Sequence, residues 1–113
     1  MEEQGREFVT PEIDKRQHRR AKLVTQIKCD ALGRNEVLVS RDISTGGLFI
    51  TMKTPLPLNS VVSLMFSIGY SGQVISCKGL VVYSKSGLGM GIEFGELSDE
   101  SRQFLEKFVD EAS

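Results

Sequence analysis

Five clusters of turn-forming residues divide most of this chain into short extended runs, and that punctuation constrains its fold more than any other feature. The clusters are Leu32-Gly33-Arg34-Asn35, Ser44-Thr45-Gly46-Gly47, Pro55-Leu56-Pro57-Leu58-Asn59, Gly69-Tyr70-Ser71-Gly72 and Ser84-Lys85-Ser86-Gly87. Glycine permits positive φ, and proline fixes φ while removing a hydrogen-bond donor, so each cluster should end a strand. The runs between them are rich in β-branched and aromatic residues and recur roughly every dozen residues, the signature of a small barrel or sandwich. Strands are expected near 22–30, 36–43, 47–53, 60–67, 73–83 and 88–95. The second of these alternates most clearly. Val37, Val39, Arg41 and Ile43 share one face, expected to be the core, while Leu38, Ser40, Asp42 and Ser44 share the other, expected to face water.

The period changes near the end of the chain. Leu97, Ser101, Phe104, Leu105, Phe108, Val109 and Ala112 recur at three- and four-residue spacings, one apolar stripe of a helix over about 98–111. Ser98 suits the N-cap, and Asp99 and Glu100 suit the positive end of the helix dipole. The stripe is expected to pack on the barrel, with a partner-docking face as the alternative. At 113 residues the chain fits one domain with a core of its own. Residues 1–14 carry little pattern and are expected to form a flexible N-terminal arm, with the domain proper spanning 15–113 and its strands about 22–95.

Charge is segregated. The 14 Lys and Arg nearly balance the 15 Asp and Glu, for a net charge of −1. That balance argues against a polycation holding nucleic acid by bulk field. Yet residues 15–22, Lys-Arg-Gln-His-Arg-Arg-Ala-Lys, hold five basic side chains and no acid, while Glu93–Ser113 holds seven acids and two bases. Cys29 and Cys77 are too few for a disulfide scaffold and lack zinc-ligand spacing, so two reduced, buried thiols are expected. No apolar run nears the ~20 residues needed to cross a bilayer. The first residues lack the basic-then-apolar order of a signal peptide, so a cytoplasmic location is expected, with no insertion into membranes.

Catalytic signals are weak. The one histidine, His18, lies inside the basic block, neither cysteine has an obvious base, and no phosphate-binding glycine loop is followed by Lys-Ser/Thr. Gly87-Leu88-Gly89-Met90-Gly91 precedes a strand, the wrong context for a dinucleotide fingerprint. No catalytic residue, metal site or cofactor is therefore expected. Two other features stand out together. Arg16 and Arg20 lie four apart just before the first strand, and Asp42, Ser44 and Gly47 lie where the second strand turns into the third. An arginine fork can grip a phosphate or the O6/N7 edge of guanine and can stack on a base. Aspartate can accept from guanine N1–H and its amino group, while a serine hydroxyl and close-approaching glycine backbone complete such a site.

In these residues the sequence resembles the PilZ domain family, bacterial receptors for cyclic di-GMP, over nearly all of residues 14–110. The family's Arg-x-x-x-Arg motif is matched by Arg16-Gln17-His18-Arg19-Arg20, and its Asp/Asn-x-Ser-x-x-Gly motif by Asp42-Ile43-Ser44-Thr45-Gly46-Gly47. The Pro-Leu-Pro-Leu stretch and Gly89-Met90-Gly91-Ile92-Glu93-Phe94 follow the family pattern too. The resemblance implies a six-stranded antiparallel β-barrel with a C-terminal helix. It further implies that Arg16 and Arg20 fold over cyclic di-GMP while Asp42, Ser44 and the Gly47 backbone hold a guanine. Lys15, Gln17, Arg19, Gly46 and Gly91 are second-tier ligand contacts. Lys15 stands where the family often has Arg, keeping the charge without the planar fork. The implied role is a stand-alone receptor or adaptor that changes conformation to regulate a downstream protein, with motility or biofilm formation as the kind of output. One alternative is a PilZ-like interaction module that binds no nucleotide, against which the intact arginines and Asp42 count. The other is a small barrel for single-stranded nucleic acid, disfavoured because only Tyr70 and Tyr83 offer exposed rings for stacking and the basic block is local.

Overall fold

The computed structural model describes residues 20–31, 33–69 and 72–112. Among the described residues, seven strands and one helix follow in order: β1 (Ala21–Lys22), β2 (Gln26–Ala31), β3 (Arg34–Ile43), β4 (Gly47–Thr51), β5 (Val61–Ile68), β6 (Gln73–Lys85), β7 (Gly89–Phe94) and α1 (Asp99–Ala112). All pairings are antiparallel, in the order β1-β3-β2-β5-β6-β7-β4, and an additional β3–β4 pairing closes the sheet. Six strands thus make the expected barrel, and β1 extends it by pairing Ala21 with Ile43 and Lys22 with Asp42.

Alternation fills the interior. Ile27 and Cys29 from β2, Val62, Leu64, Phe66 and Ile68 from β5, and Met90 and Ile92 from β7 are all buried. The helix adds Leu105 and Val109 to the same core, with Leu97, Phe104 and Phe108 packed partly against it. Its stripe therefore packs on the barrel as expected. Ser98 caps it: the Ser101 backbone N–H donates to the Ser98 hydroxyl at 3.0 Å.

Two expectations are corrected. The run 22–30 is not one strand. Ser40, only 2% exposed, bridges an interruption there: its hydroxyl donates to the Leu23 carbonyl and accepts from the Thr25 N–H at 3.1 Å. Those bonds occupy the Leu23 carbonyl and the Thr25 N–H in the gap that separates β1 from β2. The second correction concerns the faces of β3. Val37, Val39 and Arg41 point outward, with Val37 58% and Val39 47% exposed, whereas Ser40 and Ser44 are buried. A register shift against β4 between Ser40 and Asp42 resets the alternation, so Ile43 returns to the core. The resulting outward placement of Arg41 beside Asp42 builds the site below.

Cys29 and Cys77 are free thiols on one cross-strand row, both paired with Leu64. One strand therefore separates them, about 10 Å, too far for a disulfide. Cys29 is buried and Cys77 half-buried. Burial pushes the Cys77 thiol up to about 11 and also raises Cys29, so both stay protonated near neutrality.

Candidate functional site

The end of β3 gathers charge on the outer wall. Arg20 Nε donates to Asp42 Oδ1 at 2.6 Å, and Arg41 Nε donates to Asp42 Oδ2 at 2.7 Å. One carboxylate holds two guanidinium groups, one on each oxygen. The β1–β3 pairing brings Arg20 there, because Lys22, two residues on, sits opposite Asp42. The bulge brings Arg41 there, because only a break in alternation lets neighbours 41 and 42 both face outward. Both bonds use Nε, so the paired Nη nitrogens of each fork lie outside the contact with Asp42.

Burial disfavours the charged form of Asp42, but hydrogen bonds from Arg41 and Arg20 and their positive charges outweigh it. The carboxyl is held below its ordinary range. Its two oxygens offer about four acceptor positions, of which the arginines take two. Beneath Arg41 lies Phe49, with the guanidinium carbon 4.0 Å from the ring centroid. Phe49 is 8% exposed and stands outside the interior cluster: neighbouring Leu48 and Ile50 face the core while its ring faces the outer wall.

The hairpin after Asp42 divides the Asp-x-Ser-x-x-Gly motif into two halves. Asp42 faces outward. Ser44 is 2% exposed, and its hydroxyl serves the turn, accepting from the Gly46 N–H at 3.2 Å and donating to the Gly47 carbonyl at 3.4 Å. The expectation that Ser44 faces water is therefore corrected, and the tight turn that consumes the hydroxyl is the reason. Gly46 is half-buried, and its carbonyl accepts from Phe94 N–H at 2.8 Å. Gly47 is buried against β7, where a Cβ would lie 2.1 Å from the Ile92 carbonyl oxygen. Gly91 lies on the outer wall between Phe49 and Tyr83.

Of the expected site residues, the structure brings Arg20 and Asp42 together and turns Ser44 and Gly47 into the hairpin. Lys15, Arg16, Gln17, His18 and Arg19 lie outside the described residues, as does the arm 1–14. Sequence reasoning missed Arg41 and Phe49. A signal was present: strict alternation placed Arg41 in the core, where an unpaired charge is too costly to keep, so a bulge was implied.

Among the described residues, no group of His, Cys, Asp or Glu could hold a metal ion. No helix among them is long and apolar enough to cross a membrane.

The family model of the PilZ domain matches residues 14–111. Among solved structures, the Bacillus subtilis inhibitor of motility (MotI/DgrA) aligns with a TM-score of 0.72 at 15% identity, over 84% of this chain and 49% of that one. The PilZ domain with c-di-GMP of YcgR from Escherichia coli aligns with a TM-score of 0.64 at 14% identity, over 87% and 91%. The Borreliella burgdorferi PlzA protein in complex with c-di-GMP aligns at 0.50 and 16% identity, over 89% and 38%. At these identities the likeness is one of fold. The chain spans about half the length of the MotI/DgrA structure, which is 49% covered. No curated protein matches the sequence.

Proposed function

The chain belongs to the PilZ domain family, and from that premise we propose that it is a receptor for cyclic di-GMP whose ligand sits on the outer wall at the end of β3. The observation that carries this reading is the Arg20–Asp42–Arg41 cluster, two arginine forks fixed by their Nε atoms to one ionised carboxylate. A small ligand with two phosphates and two guanines suits such a surface. Arg20 and Arg16 take phosphate and the O6/N7 edge of guanine. Asp42 accepts from guanine N1–H and the amino group with the lone pairs its arginines leave open. Arg41 stacks on the base while Phe49 supports its other face.

Lys15, Gln17 and Arg19 flank Arg16 in sequence and supply further positive and polar groups to the same ligand. Ser44, Gly46 and Gly47 act one step back, fixing the hairpin that aims Asp42. No catalytic step is assigned: burial keeps both described thiols protonated, and the charges of Glu36 and Asp30 raise Cys29 further. The output is a change in the segment around Arg16 and Arg20, read by a downstream protein in the cytoplasm.

Titration calorimetry with cyclic di-GMP tests the reading and gives stoichiometry in the same measurement. Binding is expected for the unaltered chain. Arg20→Ala or Arg16→Ala is expected to weaken it at least tenfold, since an arginine–guanine contact contributes about 1–3 kcal/mol. Undetectable binding by the unaltered chain would end the proposal.

A further inference from the structure

The charged cluster stands where irregularities in two neighbouring runs meet. Against β4, β3 carries one extra residue, Arg41, since Ser40 pairs with Ile50 and Asp42 with Phe49. Against β3, the β1–β2 run carries one as well: four steps lead from Lys22 to Gln26, while three lead from Asp42 to Val39 opposite. An extra residue bends its strand and re-aims the side chains beside it. The first sets Arg41 next to Asp42 on the outer wall. The second sets the line along which β1 leaves β2, and β1 is what brings Arg20 to Asp42.

A two-residue strand has few bonds of its own to fix that line. β1 stands at the end of the sheet order and pairs with β3 alone, its Ala21 buried and its Lys22 exposed. The frame that ties it to β2 is built on Ser40. The Ser40 N–H donates to the Thr25 carbonyl at 3.0 Å, and the Leu23 N–H donates to the Arg41 carbonyl at 3.3 Å. The Ser40 hydroxyl closes the frame, donating to the Leu23 carbonyl and accepting from the Thr25 N–H at 3.1 Å. A hydroxyl donates and accepts at once, which this gap requires. A small apolar side chain suits a position 2% exposed equally well by size, but it would leave both ends of the gap untied.

We infer that Ser40 is a positioning residue for the ligand site: its hydroxyl fixes the break between β1 and β2, and so presets Arg20 on Asp42 before the ligand arrives. The inference rests on the cyclic di-GMP reading and adds to it a residue that touches no ligand. Without the hydroxyl, the Leu23–Thr25 turn loosens, Arg20 loses its fixed approach, and the ligand must order it on binding.

The test measures cyclic di-GMP binding by calorimetry for Ser40→Ala, Arg20→Ala and the double variant, with a thermal melt on each and amide hydrogen exchange on the ligand-free chains. Ser40→Ala is expected to weaken binding about tenfold, the size of one or two lost hydrogen bonds. The double variant should stay within about twofold of Arg20→Ala alone, because Ser40 acts through Arg20. The informative amide is Leu23 N–H, whose acceptor the substitution leaves in place; its exchange should rise about tenfold in Ser40→Ala while β5 and β6 are unaffected. If the melt of Ser40→Ala collapses, Ser40→Cys carries the test, since it keeps nearly the same shape with weaker hydrogen bonds. Unchanged binding in a folded Ser40 variant, with Arg20→Ala impaired, would overturn the positioning role and leave the receptor reading intact. Fully additive losses in the double variant, or an unmoved Leu23 amide, would also overturn it. Failure of the unaltered chain to bind would remove the receptor reading and this inference with it.

Discussion

Asp42→Ala is expected to reduce cyclic di-GMP affinity about a hundredfold, roughly 2.7 kcal/mol, more than removal of either arginine. The reason is that Asp42 acts twice. In the receptor reading it accepts from guanine directly, and in the structure it holds the Nε atoms of Arg20 and Arg41 at 2.6 and 2.7 Å. Without it the two guanidinium groups lose their shared anchor and must be ordered by the ligand instead, at a cost in side-chain entropy. Stability should change little. Both arginine side chains are about half exposed, at 46% and 53%, and ion pairs so placed contribute less than about 1 kcal/mol. The signature is a large calorimetric loss beside a nearly unchanged thermal midpoint. A collapsed midpoint would instead make Asp42 a structural residue.

The same carboxylate sets the acid side of the pH profile. Its folded-state pKa is lowered, so the stability it contributes is present above the unfolded carboxylate pKa and lost as pH falls through the folded value. Binding should accordingly be flat from about pH 5 to pH 8 as far as Asp42 is concerned.

Gly47→Ala is expected to fail for the opposite reason. A methyl group at Gly47 would sit 2.1 Å from the Ile92 carbonyl oxygen, with Ile92 C and Glu93 Cα at 3.1 and 3.2 Å behind it. Every close atom is backbone, so no side chain can swing away, and β4 must move off β7. Overpacking of this kind costs about 3 kcal/mol. For a domain of this size that lowers the thermal midpoint by about 10–15 °C. The measurement separates two meanings of the motif's glycine. If Gly47 served mainly as backbone against the ligand, its alanine variant would keep the midpoint and lose binding.

The legible parts of this fold were those with a local cause. The Ser98 cap and the three-four spacing of Leu105, Phe108 and Val109 announce a helix wherever it packs. The turn clusters announce strand ends for the same reason, although β6 runs on to Lys85, through residues that read as turn. What stayed hidden depended on distant partners. Nothing within Leu23–Thr25 says that a serine fifteen residues later will interrupt the strand there. Strict alternation misplaced Val37 and Val39 because a single bulge shifts the phase of everything on one side of it. The site shows the same division. The spacing of Asp42, Ser44 and Gly47 was readable as a unit, but only packing separates the residue that faces solvent from the two that hold the turn. Arg41 and Tyr83 belong to no spacing at all, since cross-strand register alone makes them neighbours of one phenylalanine.

Barrel closure also decides when this surface can exist during synthesis. Asp42 is presented by a hairpin whose second strand is held by the last strand, Gly47 opposite Glu93 and Phe49 opposite Gly91. Contacts of such long sequence separation form late, because the intervening chain must be ordered before they return any stabilisation. A nascent chain released only as far as β6 carries the whole motif and lacks the strand that fixes it. In the receptor reading, the emerging polypeptide therefore has no assembled site for the nucleotide until β7 is free to pair with β4, and a response to it would report that the barrel has closed.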